Sequence, residues 1–137
     1  MADAQEHFTP VGESTATAPG RFVDVSRIPE VQFVEGLGFR PVLGEATMLN
    51  FVSFEPGTLA PRHAHEEEQI VLVLEGELQF DLDGEVRTMG RGDVAVVPPW
   101  VPHAAWTGET GCREVDVFNP PRRSLLEHAR KHQALEA

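Results

Sequence analysis

Two short segments constrain this chain more than its composition does: Gly57 to Gly76, GTLAPRHAHEEEQIVLVLEG, and Gly92 to His103, GDVAVVPPWVPH. In the first, His63 and His65 stand two apart just before an apolar run, so on an extended backbone both imidazoles face one side. Gln69 shares that parity, and Val71 and Val73 continue it into what reads as a barrel interior. A third histidine, His103, follows a short apolar strand and the stiff Pro98-Pro99-Trp100-Val101-Pro102 turn. Three imidazoles at one end of an apolar pocket suit one divalent transition metal, with Zn, Fe, Mn, Ni and Cu all open. Glu67 has the right parity to rival Gln69, whereas Glu66 and Glu68 point away on a regular strand.

The rest of the chain reads as short strands separated by turns, the pattern of an all-β sandwich or barrel. Residues 1–20 are rich in Ala, Thr, Ser, Pro and Gly without periodicity and read as a flexible arm. Barrel strands are expected over 21–121: Arg21 to Val25, Val31 to Val34, Thr47 to Phe54, Glu77 to Asp83, Glu85 to Met89, Asp93 to Val97 and Cys112 to Phe118. Both faces of Thr47 to Phe54 are mostly apolar, so periodicity does not choose its inner side. Asp83-Gly84 supplies a tight hairpin turn. In the last segment, 122–137, Ser124 and Glu127 have capping-box spacing, predicting a helix from about Leu125 to Leu135. Its basic residues Arg122, Arg123, Arg130 and Lys131 read as a solvated face.

The two segments resemble the paired motifs of the cupin superfamily. Gly57, His63, His65, Gln69 and Gly76 match the first motif, with Gln in place of its Glu. Gly92, Pro98 and His103 match the second, whose other glycine and asparagine are replaced by Trp100 and Thr107. The resemblance implies a single-domain cupin, a double-stranded β-helix or jelly-roll barrel, with a short C-terminal helix added. It implies His63, His65, Gln69 and His103 as metal ligands, since motif spacing counted back from Gly76 favours Gln69 over Glu67. It also implies a homodimer, because N-terminal strands of small cupins often pair with a second subunit.

At 137 residues, one domain with a modest core fits and two do not. The net charge of −11 argues against nucleic acid and anionic membranes as partners. No apolar run is long enough to span a bilayer and no secretion signal is visible, so a cytoplasmic location is the expectation. The single cysteine, Cys112, fits a reducing compartment and reads as a small strand residue.

Function is less constrained, because one fold hosts many reactions. A three-His, one-Gln pattern resembles that of cupins that open or isomerise unsaturated uronates. Related patterns occur in sulfonium-compound lyases, quercetin-type dioxygenases and polyketide cupins. The leading expectation is a metal-dependent enzyme on a small oxygenated metabolite, using Lewis-acid-assisted isomerisation, ring opening or lyase chemistry. A dioxygenase and a non-catalytic small-molecule binder are the alternatives. Arg40, Asn50, Trp100, Trp106 and Asp116 are candidate substrate-binding residues, Arg40 because its guanidinium suits a carboxylate. No general acid or base can be named; tyrosine is absent altogether.

Overall fold

A computed structural model describes residues 7–132. Among these described residues, ten strands form two antiparallel sheets. The larger sheet runs in the order β1 (Val31–Val34), β2 (Leu37–Leu43), β3 (Met48–Phe54), β10 (Cys112–Asn119), β5 (Glu68–Gly76) and β8 (Val94–Val97). The smaller one is β4 (Leu59–His63), β9 (His103–Trp106), β6 (Leu78–Leu82) and β7 (Glu85–Met89). Sequence neighbours β4 and β5 lie in different sheets, as do β5 and β6, so the chain repeatedly crosses between layers in the jelly-roll manner. One helix, α1 (Arg123–Lys131), follows β10.

The inner faces are set by a two-residue period. On β3, Met48, Asn50, Val52 and Phe54 are buried while Leu49, Phe51 and Ser53 are half-buried, which resolves the strand whose two faces look alike in sequence. β10 pairs with it in register, Cys112 opposite Phe54 and Asp116 opposite Asn50. The inner row of β10 therefore reads Cys112, Glu114, Asp116, Phe118, two carboxyls among apolar neighbours. Phe39, Val71, Val73, Leu78 and Phe80 complete the core between the layers.

Turn chemistry behaves as the residues require. Asp83 (φ 50°) and Gly84 (φ 95°) join β6 to β7 in the doubly positive conformation of a tight hairpin. Gly76 has φ 82°, and a Cβ there would lie 2.0 Å from the Gly111 carbonyl oxygen, so no other residue fits.

Outside the histidine segment, two expected elements differ. Arg21 to Val25 forms no strand; Val25–Arg27 is a 3-10 turn capped by Asp24, whose Oδ1 accepts from the Ser26 amide at 3.1 Å and its hydroxyl at 2.6 Å. That local side-chain bonding gives the backbone an alternative to a sheet ladder. The Ser124–Glu127 capping box does not form, because α1 begins at Arg123 and Ser124 already lies inside its first turn. The cap position belongs to Arg122, which makes no side-chain cap bond. Leu125, Leu126 and Ala129 are buried on one side of α1 as the stripe predicts; Leu135 lies outside the described residues. No helix among the described residues is long and apolar enough to cross a membrane.

Candidate metal centre

His63 ends β4 and His103 begins β9, and the two are register partners in the smaller sheet. His65 lies in the turn between β4 and β5, while Gln69 sits on β5 of the larger sheet. The expectation that His63, His65 and Gln69 share one continuous strand is therefore corrected: the strand breaks after His63, and the turn carries His65 back to the cluster. A cross-motif bond holds that turn, the Trp100 amide donating to the His65 carbonyl at 2.8 Å.

The available ring nitrogens of the three histidines lie within 4.8 Å of one another. Each Nδ1 is engaged by a backbone carbonyl: His63 with Pro61 at 2.7 Å, His65 with Glu67 at 2.9 Å, His103 with Val101 at 2.9 Å. A carbonyl only accepts, so each Nδ1 carries the proton and each Nε2 presents a lone pair. Burial pushes the His65 pKa down and that of His103 down to about 4, so both rings are neutral at pH 7.

Two observations fit a cation at this point. His103 Nε2 is buried and has no hydrogen-bond partner. His65 Nε2 lies 3.1 Å from Gln69 Oε1, which sets two acceptors face to face. Flipping the amide would only move the conflict, because Gln69 Nε2 donates to Asp116 Oδ1 at 2.8 Å. A positive ion between lone pairs removes both penalties. Three imidazoles beside an amide oxygen could hold a borderline transition metal. Glu67 stands on the Nδ1 side of His65, its Oε1 3.6 Å from that atom, behind the ring rather than in the cluster.

The cluster opens into a cavity of about 300 Å³. Asn50, Glu114, Asp116 and Arg122 join His63, Gln69 and His103 as its polar lining. Asp116 and Glu114 are hydrogen-bonded inside the barrel. Burial, then the neighbouring Asp116 charge, raises the Glu114 pKa well above the ordinary carboxylate value, a direction that favours the proton on Glu114. Asp116 is raised by burial too, an effect offset by bonds from Glu114 and Gln69.

Asn50 and Asp116 thus face the cavity, but the other three sequence candidates do not. Arg40 projects from the opposite side of β2, where Phe39 and Pro41 point inward; its Nε bonds the Ile28 carbonyl at 2.8 Å and its Nη1 meets Glu30 at 3.2 Å. Trp100 is 65% exposed at the turn, and Trp106 does not line the cavity. Sequence reasoning missed Glu114 and Arg122. Glu114 shares the parity of Asp116, a signal that was available. Arg122 reads in sequence as part of a solvated helix face, yet the turn before α1 brings it over the Phe118 ring at 5.7 Å and onto the cavity.

Residues 50–118 match the Cupin_2 family, described as a cupin domain. The chain belongs to this family. No match is found among the curated proteins. Among solved structures, this cupin is similar to KdgF from Halomonas sp., with 28% identity and a TM-score of 0.74 over 78% of this chain and 99% of that one. An RmlC-like cupin from Shewanella frigidimarina NCIMB 400 is also 28% identical, with a TM-score of 0.72 over 78% and 96% of the two chains. The polyketide cyclase RemF from Streptomyces resistomycificus shares the fold at 23% identity, with a TM-score of 0.68 over 76% and 82%.

The cupin's two motif departures have structural consequences. Trp100, at the motif's glycine position, keeps a positive φ of 65°. Thr107, at the asparagine position, is buried and ties two turns together: its hydroxyl donates to the Glu55 carbonyl at 2.6 Å and accepts from the Thr58 amide at 3.0 Å.

Proposed function

We propose that this cupin is a metal-dependent enzyme acting on a small oxygenated metabolite by isomerisation, ring opening or elimination without net oxidation. The observation that carries the reading is the convergence of three Nε2 lone pairs and the Gln69 oxygen at one end of a cavity that also holds Asp116 and Arg122. The donors would be His63, His65, His103 and Gln69. A divalent ion held by neutral donors alone keeps its full charge and supplies Lewis acidity toward a substrate hydroxyl or carbonyl.

The chain's own groups divide the remaining work. Arg122, cationic at the cavity edge, suits an anionic substrate group. The Asp116 carboxylate is the proton acceptor, poised beside the cluster by the Gln69 amide and backed by the proton on Glu114. Phe80, stacked against His103 with centroids 6.1 Å apart, and the other apolar walls exclude water from the reacting groups.

The test is reconstitution with single metals, metal-to-chain ratios, and solvent deuterium incorporation beside the carbonyl of a panel of 2-oxo acids. One equivalent of metal with exchange restored by zinc supports the reading. Turnover only with iron or copper and with oxygen uptake would establish the dioxygenase instead, and a protein that takes up no metal would leave a binding barrel.

A further inference from the structure

The cavity is polar along one strip only. That strip runs from the histidines through Gln69 and Asp116 to Asn50 and Glu114 on the inner face of the larger sheet, with Arg122 at its edge. The other walls are hydrocarbon: Leu37, Phe39, Phe54 and Leu78 buried in the core, Phe33 and Val34 at the more exposed rim. Among the described residues the lining contains no serine, threonine, tyrosine or lysine. Among the described residues the buried side-chain atoms without a partner are His103 Nε2, in the histidine cluster, and Asn50 Oδ1 and Glu114 Oε2, all on the strip.

We infer that the substrate is a compact, largely hydrocarbon acid, aryl or branched alkyl, whose oxygen functions all lie on one edge, and not a polyhydroxylated sugar acid. This rests on the metal-enzyme reading above for the role of the oxygen-bearing edge, but the contrast between strip and walls belongs to the chain alone. A sugar acid carries hydroxyls around its whole ring. Seated with one edge on the strip, its remaining hydroxyls would meet hydrocarbon lining such as Phe39, Phe54 and Leu78 and lose their water without gaining a partner. A hydrocarbon body at the same place gains contact with those walls. Asn50 Oδ1 leaves one seat for a hydroxyl donor on the favoured edge. The inference departs from the uronate substrates that the motif resemblance suggests.

The test compares phenylpyruvate with galacturonate, acids of similar size and equal charge, by calorimetric titration of the native protein, once metal-loaded and once after chelation. Phenylpyruvate is expected to bind at least fivefold more tightly in the metal-loaded protein. A smaller preference, the reverse preference, or no binding of phenylpyruvate overturns the inference. Metal content measured on the same samples separates the two readings. A protein that takes up no metal yet prefers phenylpyruvate fivefold refutes the enzyme proposal and upholds the apolar cavity, whereas a loaded protein that prefers galacturonate does the opposite.

Discussion

His63 and His103 are paired residues on adjacent strands of the smaller sheet, their ring centroids 4.2 Å apart. Two imidazoles so close, both with Nδ1 tied to a carbonyl, have no hydrogen bond to offer each other; what they share is a direction. Replacing either one removes a donor without disturbing the ladder. His103→Ala is expected to reduce metal affinity by more than the roughly 100-fold typical of outer-shell changes. Metal-to-chain ratios after dialysis check this, with circular dichroism showing that the barrel persists.

Gln69→Glu tests the value of a neutral fourth donor. A carboxylate there adds negative charge to the donor set and removes the amide that donates to Asp116. Metal should bind more tightly, while proton exchange slows because the ion's charge is partly cancelled and Asp116 faces a second carboxylate. Competition titration against a chelator reads the first effect, and exchange rates across pH read the second.

The metal-free protein should lose stability in acid. Burial lowers the His103 pKa to about 4 against an ordinary 6.5, so the unfolded chain binds a proton that the folded one refuses. That contribution is fully present above pH 6.5 and is lost progressively as pH falls toward 4. Melting temperatures across this window should drop in the parent, and His103→Gln should flatten the slope.

Glu114 acts in the opposite sense. Its pKa is raised on folding, so its contribution is complete below about 4.5 and falls as pH rises while the unfolded chain ionises and the folded one does not. Glu114→Gln keeps the shape and a donor for Asp116 without this dependence. Urea unfolding at pH 5 and pH 8 should show the variant gaining on the parent at the higher value.

Trp100→Gly should stabilise the chain. A non-glycine residue at φ 65° is strained by about 1–2 kcal/mol, against which glycine costs about 0.5–1 kcal/mol of unfolded-state entropy. The exposed indole surrenders little packing, so a net gain of roughly 0.5–1 kcal/mol is expected, visible as a melting-temperature rise of a few degrees.

Much of this was legible in the chain. The glycine, proline and histidine spacing announced the barrel and the three histidines that cluster at its end, because turn geometry and ligand chemistry are each written in single residue types. The route by which the donors meet was not legible. Parity placed His63, His65 and Gln69 on one strand, yet the run from Ala64 to Glu67 crosses between sheets, and period-2 reasoning holds only within one strand. Arg40 and Arg122 show a similar limit. Sequence assigns a guanidinium its chemistry but not its side of a sheet, and one arginine faced out while the other turned in.

The donors come from both layers: His63 and His103 from the four-stranded sheet, Gln69 from the six-stranded one. An ion held by them would act as a caliper across the interior, its affinity set by how far apart the sheets stand. Truncating a side chain well away from the histidines, such as Met89 in the same core, would then register first as a change in metal retention. Only later, as the layers slip further, would it register as loss of fold.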